Sequence, residues 1–331
     1  EEAEGHGVPA AALAWNCKGN LLAVGYGRMN IQGTDSKPSC VAVWNLSRIF
    51  IKSDKPDDLL ETPSSVISVA FHPQHPAILA AGTFAGELLI WNLGKSDGME
   101  KSVRVTKGGG GHRECVSQVD WVYWDRFNDF MCVTCSTDGK VVLWKANEDG
   151  FWPIVSYSVT ANDSARVGMS LAHRSVLDQR KLIGTTCMSF ERVAADGLAQ
   201  RGGFYLGSEA GGVLKCYIQF TSVFDKVRGV GGEEAFRSEK VAEKEDEPPS
   251  LPSPITFSYQ PHGGPVHAVA ASPLQHNLFV SCGADGTLRL HNSYQSSPIH
   301  SYEPSSSYLY SASFSPTRPL VFAAGGGGGG A

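Results

Sequence analysis

Gly139-Lys-Val-Val-Leu-Trp144 sets a small residue before alternating β-formers and, five positions on, a bulky ring. The same hexad recurs along the chain. Ser39-Cys-Val-Ala-Val-Trp44 and Gly86-Glu-Leu-Leu-Ile-Trp91 precede it; Gly212-Val-Leu-Lys-Cys-Tyr217 and Gly286-Thr-Leu-Arg-Leu-His291 follow it. Upstream of each hexad lies an apolar stretch, at residues 20–25, 78–82, 130–136, 203–208 and 278–283. Upstream again lies another, at 12–15, 66–71, 116–121, 186–190 and 266–271. Apolar runs this short, bounded by turn residues, are strands rather than helices. One unit therefore reads strand, turn, strand, tight turn, strand. Asp138-Gly139 and Asp285-Gly286 supply the glycine that accepts positive φ in a hairpin.

Such self-similarity marks a repeat architecture, and four-stranded repeats of this kind build β-propellers. Successive rings are 47, 53, 73 and 74 residues apart, whereas propeller units run to roughly 40–45. The two long intervals call for insertions. One is the stretch after Trp144; the other is the charged, Pro/Ser-rich segment 225–254, whose composition suits a disordered loop with at most a short helix over 233–247. The strand at 255–259 then reads as the outer strand of the fourth unit. A sixth unit opens at Tyr308-Leu-Tyr-Ser-Ala-Ser-Phe314, continues through Leu320 to Ala324 and meets six glycines, Gly325 to Gly330. The expectation is an all-β chain, residues 1–331, forming one propeller that is incomplete at its C-terminus. Five full repeats and part of a sixth leave open sheet edges, which propellers avoid by closing the ring. Either the rest of the ring or another chain would cover the gap.

The third unit is nearest the WD-repeat consensus: Gly111-His112, the strand at 116–121, Ser136-Thr-Asp138-Gly139 and Trp144. In units of that kind a His, the turn Asp, a strand hydroxyl and the Trp form a hydrogen-bonded tetrad, which maps onto His112, Asp138, either Thr134 or Ser136, and Trp144. A buried His–Asp pair also suits acid–base catalysis, but one that recurs at a blade turn is a brace. The fifth unit keeps His262 and Asp285 and places His291 in the ring position alongside Trp44, Trp91 and Tyr217. The dipeptide that names the repeat is altered, to Trp44-Asn45, Trp91-Asn92 and Trp144-Lys145.

Other motifs recede on inspection. Cys132 and Cys135 form the one CxxC among eight cysteines, yet in a strand residues three apart face opposite ways and cannot share a metal. Gly108 to Gly111 lacks the GxxxxGK[ST] pattern of a phosphate loop and runs into a strand. No nucleophile elbow, zinc helix or paired-carboxylate motif is present, so the reading is a non-enzyme without cofactor or metal. A net charge of −5, from 28 basic and 33 acidic residues, argues against nucleic acid as a partner. No apolar run approaches the roughly 18 residues of a membrane span. The acidic start Glu1-Glu2-Ala3-Glu4 is unlike a signal peptide, and the missing initiator Met places the natural N-terminus upstream. Those features suit a soluble, cytosolic chain. Tyr123, Trp124, Arg126 and Phe127 cluster between two strands of the third unit, either as anchors for a partner or tucked back over the blade end.

The order of motifs resembles the WD-repeat intermediate chains of dynein motors. The series runs from the long turn at 26–39 through Phe71-His-Pro73, Gly82-Thr-Phe-Ala-Gly86, Ser136-Thr-Asp-Gly-Lys140 and Gly207-Ser-Glu-Ala-Gly211 to Gly264-Pro265. Within that family it is most similar to the cytoplasmic dynein-2 branch, the motor of intraflagellar transport. Phe257-Ser-Tyr-Gln-Pro-His-Gly-Gly-Pro265, Asn277-Leu-Phe279 and Ser315-Pro-Thr-Arg-Pro-Leu-Val-Phe-Ala-Ala324 carry that finer likeness. The resemblance implies a seven-bladed propeller that grips the heavy-chain tail, with a second intermediate chain and light chains in the same complex. It also implies contact with intraflagellar-transport train proteins, and a place in the cytoplasm and the cilium, at axoneme and basal body. Light chains would bind a segment N-terminal to the propeller. Another dynein class, or a generic WD adaptor such as a ubiquitin-ligase substrate receptor, is the alternative. Such receptors often carry Arg three residues after the blade Trp; Ser47 stands there, with Arg48 one later.

Overall fold

The computed structural model describes residues 8–27, 38–48, 55–94, 102–103, 111–124, 129–147, 150–160, 182–191, 202–219, 248, 250–251, 253–304 and 306–327. Among them there is no helix; the chain is a row of antiparallel sheets. The first sheet is β1 (Ala10–Trp15), β2 (Leu21–Tyr26), β3 (Ser39–Asn45) and β4 (Asp58–Thr62). The second is β5 (Val66–Phe71), β6 (Ile78–Thr83), β7 (Leu88–Asn92) and β8 (Ser102–Val103). The third is β9 (Val116–Trp124), β10 (Asp129–Ser136), β11 (Lys140–Asn147) and β12 (Gly150–Ser158). The fourth holds β13 (Thr185–Phe190), β14 (Gly203–Ser208) and β15 (Val213–Tyr217). Two strands follow, β16 (Ser250–Leu251) and β17 (Ile255–Ser258), of which β17 completes the fourth sheet. The fifth is β18 (Val266–Ala271), β19 (Leu278–Gly283), β20 (Leu288–Asn292) and β21 (His300–Tyr302); β22 (Leu309–Phe314) pairs with β23 (Phe322–Gly326). Each three-strand unit read from the sequence thus gains an outer fourth strand in five successive sheets. This is the blade pattern of a WD-repeat propeller.

The sheets pack face to face through alternate side chains, because period-two residues point to opposite faces. Ala23, Val41 and Val43 of the first sheet meet Val66, Leu79 and Trp91 of the second. Leu88 and Ile90 of the second meet Val119, Trp121 and Trp144 of the third. Val133 and Leu143 meet Met188, Phe204 and Leu214; Tyr205 and Val213 meet Val266 and Phe279; Val280 and Cys282 meet Leu309 and Phe314. The CxxC pair obeys the same alternation. Cys132 lies in the layer against the second sheet and Cys135 in the layer against the fourth. Burial pushes the Cys135 thiol up to about 11 and the Cys132 thiol well above its usual range.

The first strands of successive sheets lie side by side, and their contact sets residue size. An added Cβ at Gly25 would stand 2.6 Å from Val66 Cγ1, and one at Gly82 would stand 2.5 Å from Val116 Cγ1. Gly207 faces Val266 in the same way. Where the neighbouring strand begins with Thr185 or Leu309 instead of Val, the matching positions are Cys135 and Cys282. Ser117 Oγ donates across this seam to the Thr185 carbonyl at 2.7 Å, and Thr186 Oγ1 donates to the Val266 carbonyl. In the two end sheets, Leu13, Trp15, Tyr308 and Tyr310 are exposed.

Three expectations need correction. Residues 250–251 are not loop: β16 pairs in parallel with β12, Ser156 opposite Ser250 and Tyr157 opposite Leu251, as a fifth strand of the third sheet. Leu251 is buried in the core between the third and fourth sheets, so this clip ties their outer edges together. The rest of the 225–254 segment lies outside the described residues apart from 248 and 253–254. Second, the fourth ring position is Cys216, not Tyr217. The glycine with positive φ in that turn is Gly211, and Cys216 pairs with Phe204 as Trp144 pairs with Cys132. A one-residue slip reverses facing, and Tyr217 accordingly points outward, 44% exposed. Third, β9 continues to Trp124, three residues past the expected end at 121.

Candidate functional site

Each meandering sheet has two ends. At one lie the tight turn between its second and third strands and the approach to its first strand; here the His–Asp couples assemble. In the third sheet Trp144 Nε1–H donates to Thr134 Oγ1 at 2.8 Å. With that lone pair taken, the Thr134 hydroxyl is free to donate to His112 Nε2, 2.7 Å away. His112 Nδ1–H then faces Asp138, at 3.2 and 3.3 Å from its two oxygens. This proton assignment follows from the donors available. Asp138 also accepts the backbone N–H of Arg113 at 3.0 Å and of Lys140 at 2.9 Å, closing both loops onto one carboxylate. The tetrad hydroxyl is Thr134; Ser136 instead donates to the Glu114 carbonyl and accepts from Asp138 N–H.

The fifth sheet builds the same circuit with different parts. His262 Nδ1 lies 3.0 Å from both Asp285 oxygens, and His262 Nε2 lies 2.8 Å from Ser281 Oγ. Ser281 Oγ is in turn 2.8 Å from His291 Nε2. His291 Nδ1 is buried with no partner among the described residues. A bare lone pair there is cheaper than a second N–H, so the proton sits on Nε2 and mimics the indole N–H of Trp144. Burial, helped by the charges of His262 and Arg289, lowers His291 to about 3 and keeps the ring neutral. Thr287 Oγ1 donates to Asp285 at 2.8 Å and Arg289 Nη2 bridges it at 3.2 Å.

Burial pushes the pKa of both aspartates up, but their hydrogen bonds outweigh it. His112 and the Arg113 and Lys140 N–H groups bring Asp138 below its usual value; Gly263 N–H, His262 and Thr287 do so for Asp285. The His–Asp contact is closed to solvent: the His112 side chain is 0% exposed and Asp138 7%. A donor set consumed internally, under loops it holds in place, braces those loops.

The aromatic cluster of the third unit divides. Trp124 is 4% exposed and packs in the core between the third and fourth sheets, so it is a core side chain rather than an anchor. Tyr123 is half-buried and rings with Phe130 at 5.2 Å. Arg126 and Phe127 lie outside the described residues. Among the other ring positions Trp91 and His291 are buried and Trp44 is half-buried. Among the described residues no group of three or more His, Cys, Asp or Glu could hold a metal ion, and no helix is long and apolar enough to cross a membrane.

A polar–aromatic cluster at the other end of the fourth and fifth sheets escaped the sequence reading. Glu191, directly after β13, accepts the Tyr205 hydroxyl at 2.6 Å and the Lys215 ammonium at 2.8 Å. Lys215 Nζ lies 5.8 Å from the Tyr205 ring centre and 6.0 Å from that of Tyr294, within cation–π range. At the corresponding position of other sheets the side chain folds back on its own loop. Asn16 accepts from Asn20 and Leu21 N–H, His72 Nδ1 from Gln74 and His75 N–H, and Ser272 from Gln275 N–H. Only this departure from the repeat could have signalled Glu191.

Fold and tetrads together define a WD-repeat chain, and the family model described as WD domain, G-beta repeat matches residues 101–145 and 253–292. Those two segments carry the two assembled tetrads. Over nearly its whole length the chain is similar to dynein intermediate chains. It is 32% identical to cytoplasmic dynein 2 intermediate chain 2 of Mus musculus, across 99% of this chain and 56% of that protein. The Homo sapiens counterpart gives the same identity and coverage. Dynein axonemal intermediate chain 4 of Xenopus laevis is 24% identical, across 97% of this chain and 38% of that protein. The chain spans about half the length of the dynein-2 relatives it matches.

Proposed function

We propose that this chain is the propeller portion of a dynein-2 intermediate chain, a non-catalytic scaffold that grips the heavy-chain tail for retrograde intraflagellar transport. The observation that carries the reading is the 32% identity to the dynein 2 intermediate chains across 99% of the chain, against 24% for the axonemal one. Dynein intermediate chains and WD40-repeat proteins are generally non-catalytic. In keeping with that, the His–Asp couples of this chain are spent on bracing its loops. Residues 1–331 would contribute five sheets and part of a sixth to a seven-bladed ring. The complex would include a second intermediate chain and light chains, work in the cytoplasm and the cilium, and meet intraflagellar-transport trains. The test is affinity purification of the tagged full-length protein from ciliated cells. Stoichiometric recovery of a dynein-2 heavy chain is expected; recovery of an axonemal heavy chain, or of ubiquitin-ligase subunits without any heavy chain, would sink the reading.

A further inference from the structure

We propose that Tyr217, Lys215 and Tyr294, at the end of the fourth and fifth sheets opposite the tetrads, form the contact that grips an acidic–apolar segment of the heavy-chain tail. The proposal rests on the function read above and says which end of the blades performs it. Tyr294 is 76% exposed, more than any other large hydrophobic side chain among the described residues. Its backbone is nevertheless held on every side. Tyr294 N–H donates to Asn292 Oδ1 at 3.0 Å, and Gln295 N–H to the Asn292 carbonyl at 3.2 Å. The preceding Ser293 donates its N–H to the Asn277 carbonyl at 2.8 Å and accepts the buried Tyr259 hydroxyl at 3.1 Å. An exposed aromatic on a fixed backbone loses little conformational freedom on binding, which is what a contact hot spot needs.

Lys215 supplies the charge. Its ammonium sits between the Tyr205 and Tyr294 rings and spends one of three donors on Glu191. Tyr217, two residues along β15, shows its ring on the same face of the strand and is 44% exposed. The exposed Tyr294 ring beside an ammonium that keeps donors beyond the one on Glu191, with Tyr217 on the same strand face, is complementary to a carboxylate next to an apolar side chain. Among the described residues of the tetrad end, Asp138, Asp285 and Arg289 are turned inward onto their own loops. Backbone strain falls at the same end of the sheets. Leu320, in the turn between β22 and β23, is exposed and is the one non-glycine residue with positive φ, 60°, among the described residues. A bulky side chain rarely adopts that conformation, and where it persists it often marks a working surface.

The experiment measures the affinity of the full chain for a purified heavy-chain tail, with thermal melts alongside. Tyr294→Ala should weaken binding by about tenfold and Tyr217→Ala/Tyr294→Ala by about thirtyfold or more, with melting unchanged because both rings are exposed. Lys215→Met, which keeps the stem and removes the charge, should flatten the dependence of affinity on salt. Wild-type affinity in both tyrosine variants, with the chain folded, would overturn this site and leave the proposed function standing. Failure of the wild-type chain to bind the tail would overturn both.

Discussion

In the third sheet the ring slot holds Trp144 opposite Cys132; in the fifth it holds His291 opposite Phe279. One pair sets a large ring against a small residue and the other divides the volume between two middling rings. His291 stacks on Phe279 at 4.6 Å and 6°, and Phe279 stacks on Tyr205 at 4.0 Å. Both slots still aim an N–H at a hydroxyl on the neighbouring strand, at 2.8 Å in each case. These two units therefore share a donor position and a filled cross-strand volume rather than a residue type. The remaining sheets keep the volume without the circuit: Leu22 faces Trp44, Leu79 faces Trp91 and Phe204 faces Cys216. Where the hydroxyl stands in sheets three and five, the second and fourth sheets carry Ala81 and Leu206.

Removing Trp144 has the largest expected effect. Trp144→Ala leaves a cavity and takes away the donor to Thr134 Oγ1, and should cost about 3–5 kcal/mol in chemical unfolding. A smaller cost than that of His291→Ala would mean the indole is not the larger support. His291→Trp tests the volume half of the argument. With Phe279 in place the indole is oversized, and the expected loss is about 1–3 kcal/mol. Adding Phe279→Cys recreates the third sheet's pairing, so the double variant should be more stable than the sum of the single losses predicts. Strict additivity would show that the two positions do not share space.

The hydrogen-bond half is tested by Asp138→Ala and His112→Ala, each expected to cost about 1–3 kcal/mol. Their combination should cost less than the sum, since either change already opens the circuit. Acid supplies a milder probe. Burial, with His75 nearby, lowers His72 to about 4, and its Nδ1 accepts two backbone N–H groups. His291 is lowered to about 3. Unfolded, both take up a proton near pH 6.5; folded, they resist until about 4 and 3. Their contribution to stability is therefore complete above pH 6.5 and is lost as pH falls from there toward 4. Asp138 and Asp285, held below the usual carboxylate value, lose theirs only in more acidic solution. Melting temperature followed from pH 7 to 4 should fall less steeply in His72→Asn than in the wild type; parallel curves would remove His72 from the account.

The strands were legible wherever a glycine turn and alternating apolar residues agreed, which is why the three-strand units and β17 fell close to where they were expected. The fourth ring was misplaced because Gly211 and Gly212 stand together and composition does not say which takes positive φ. The clip at Ser250–Leu251 was hidden among prolines, whose presence argued for loop, and its partner strand is distant in sequence. Trp124 stayed open between partner anchor and blade-end packing because nothing local showed that β9 would run on and carry it into the core. Both tetrads could be mapped from motif order, but the choice of Thr134 over Ser136 depended on facing. The Glu191–Lys215–Tyr294 cluster joins three sequence-distant positions and left no motif at all.

In this molecule the tetrads brace, and the proposed surface at the opposite end of the sheets binds. The most direct test is the affinity of Asp138→Ala for the heavy-chain tail, measured well below its lowered melting point. Capture within about twofold of the wild type is predicted, because the brace acts on stability and the opposite end of the sheets makes the contact. A tenfold or greater loss of affinity in a variant that is still folded would contradict that division and place the tetrad end in the interface.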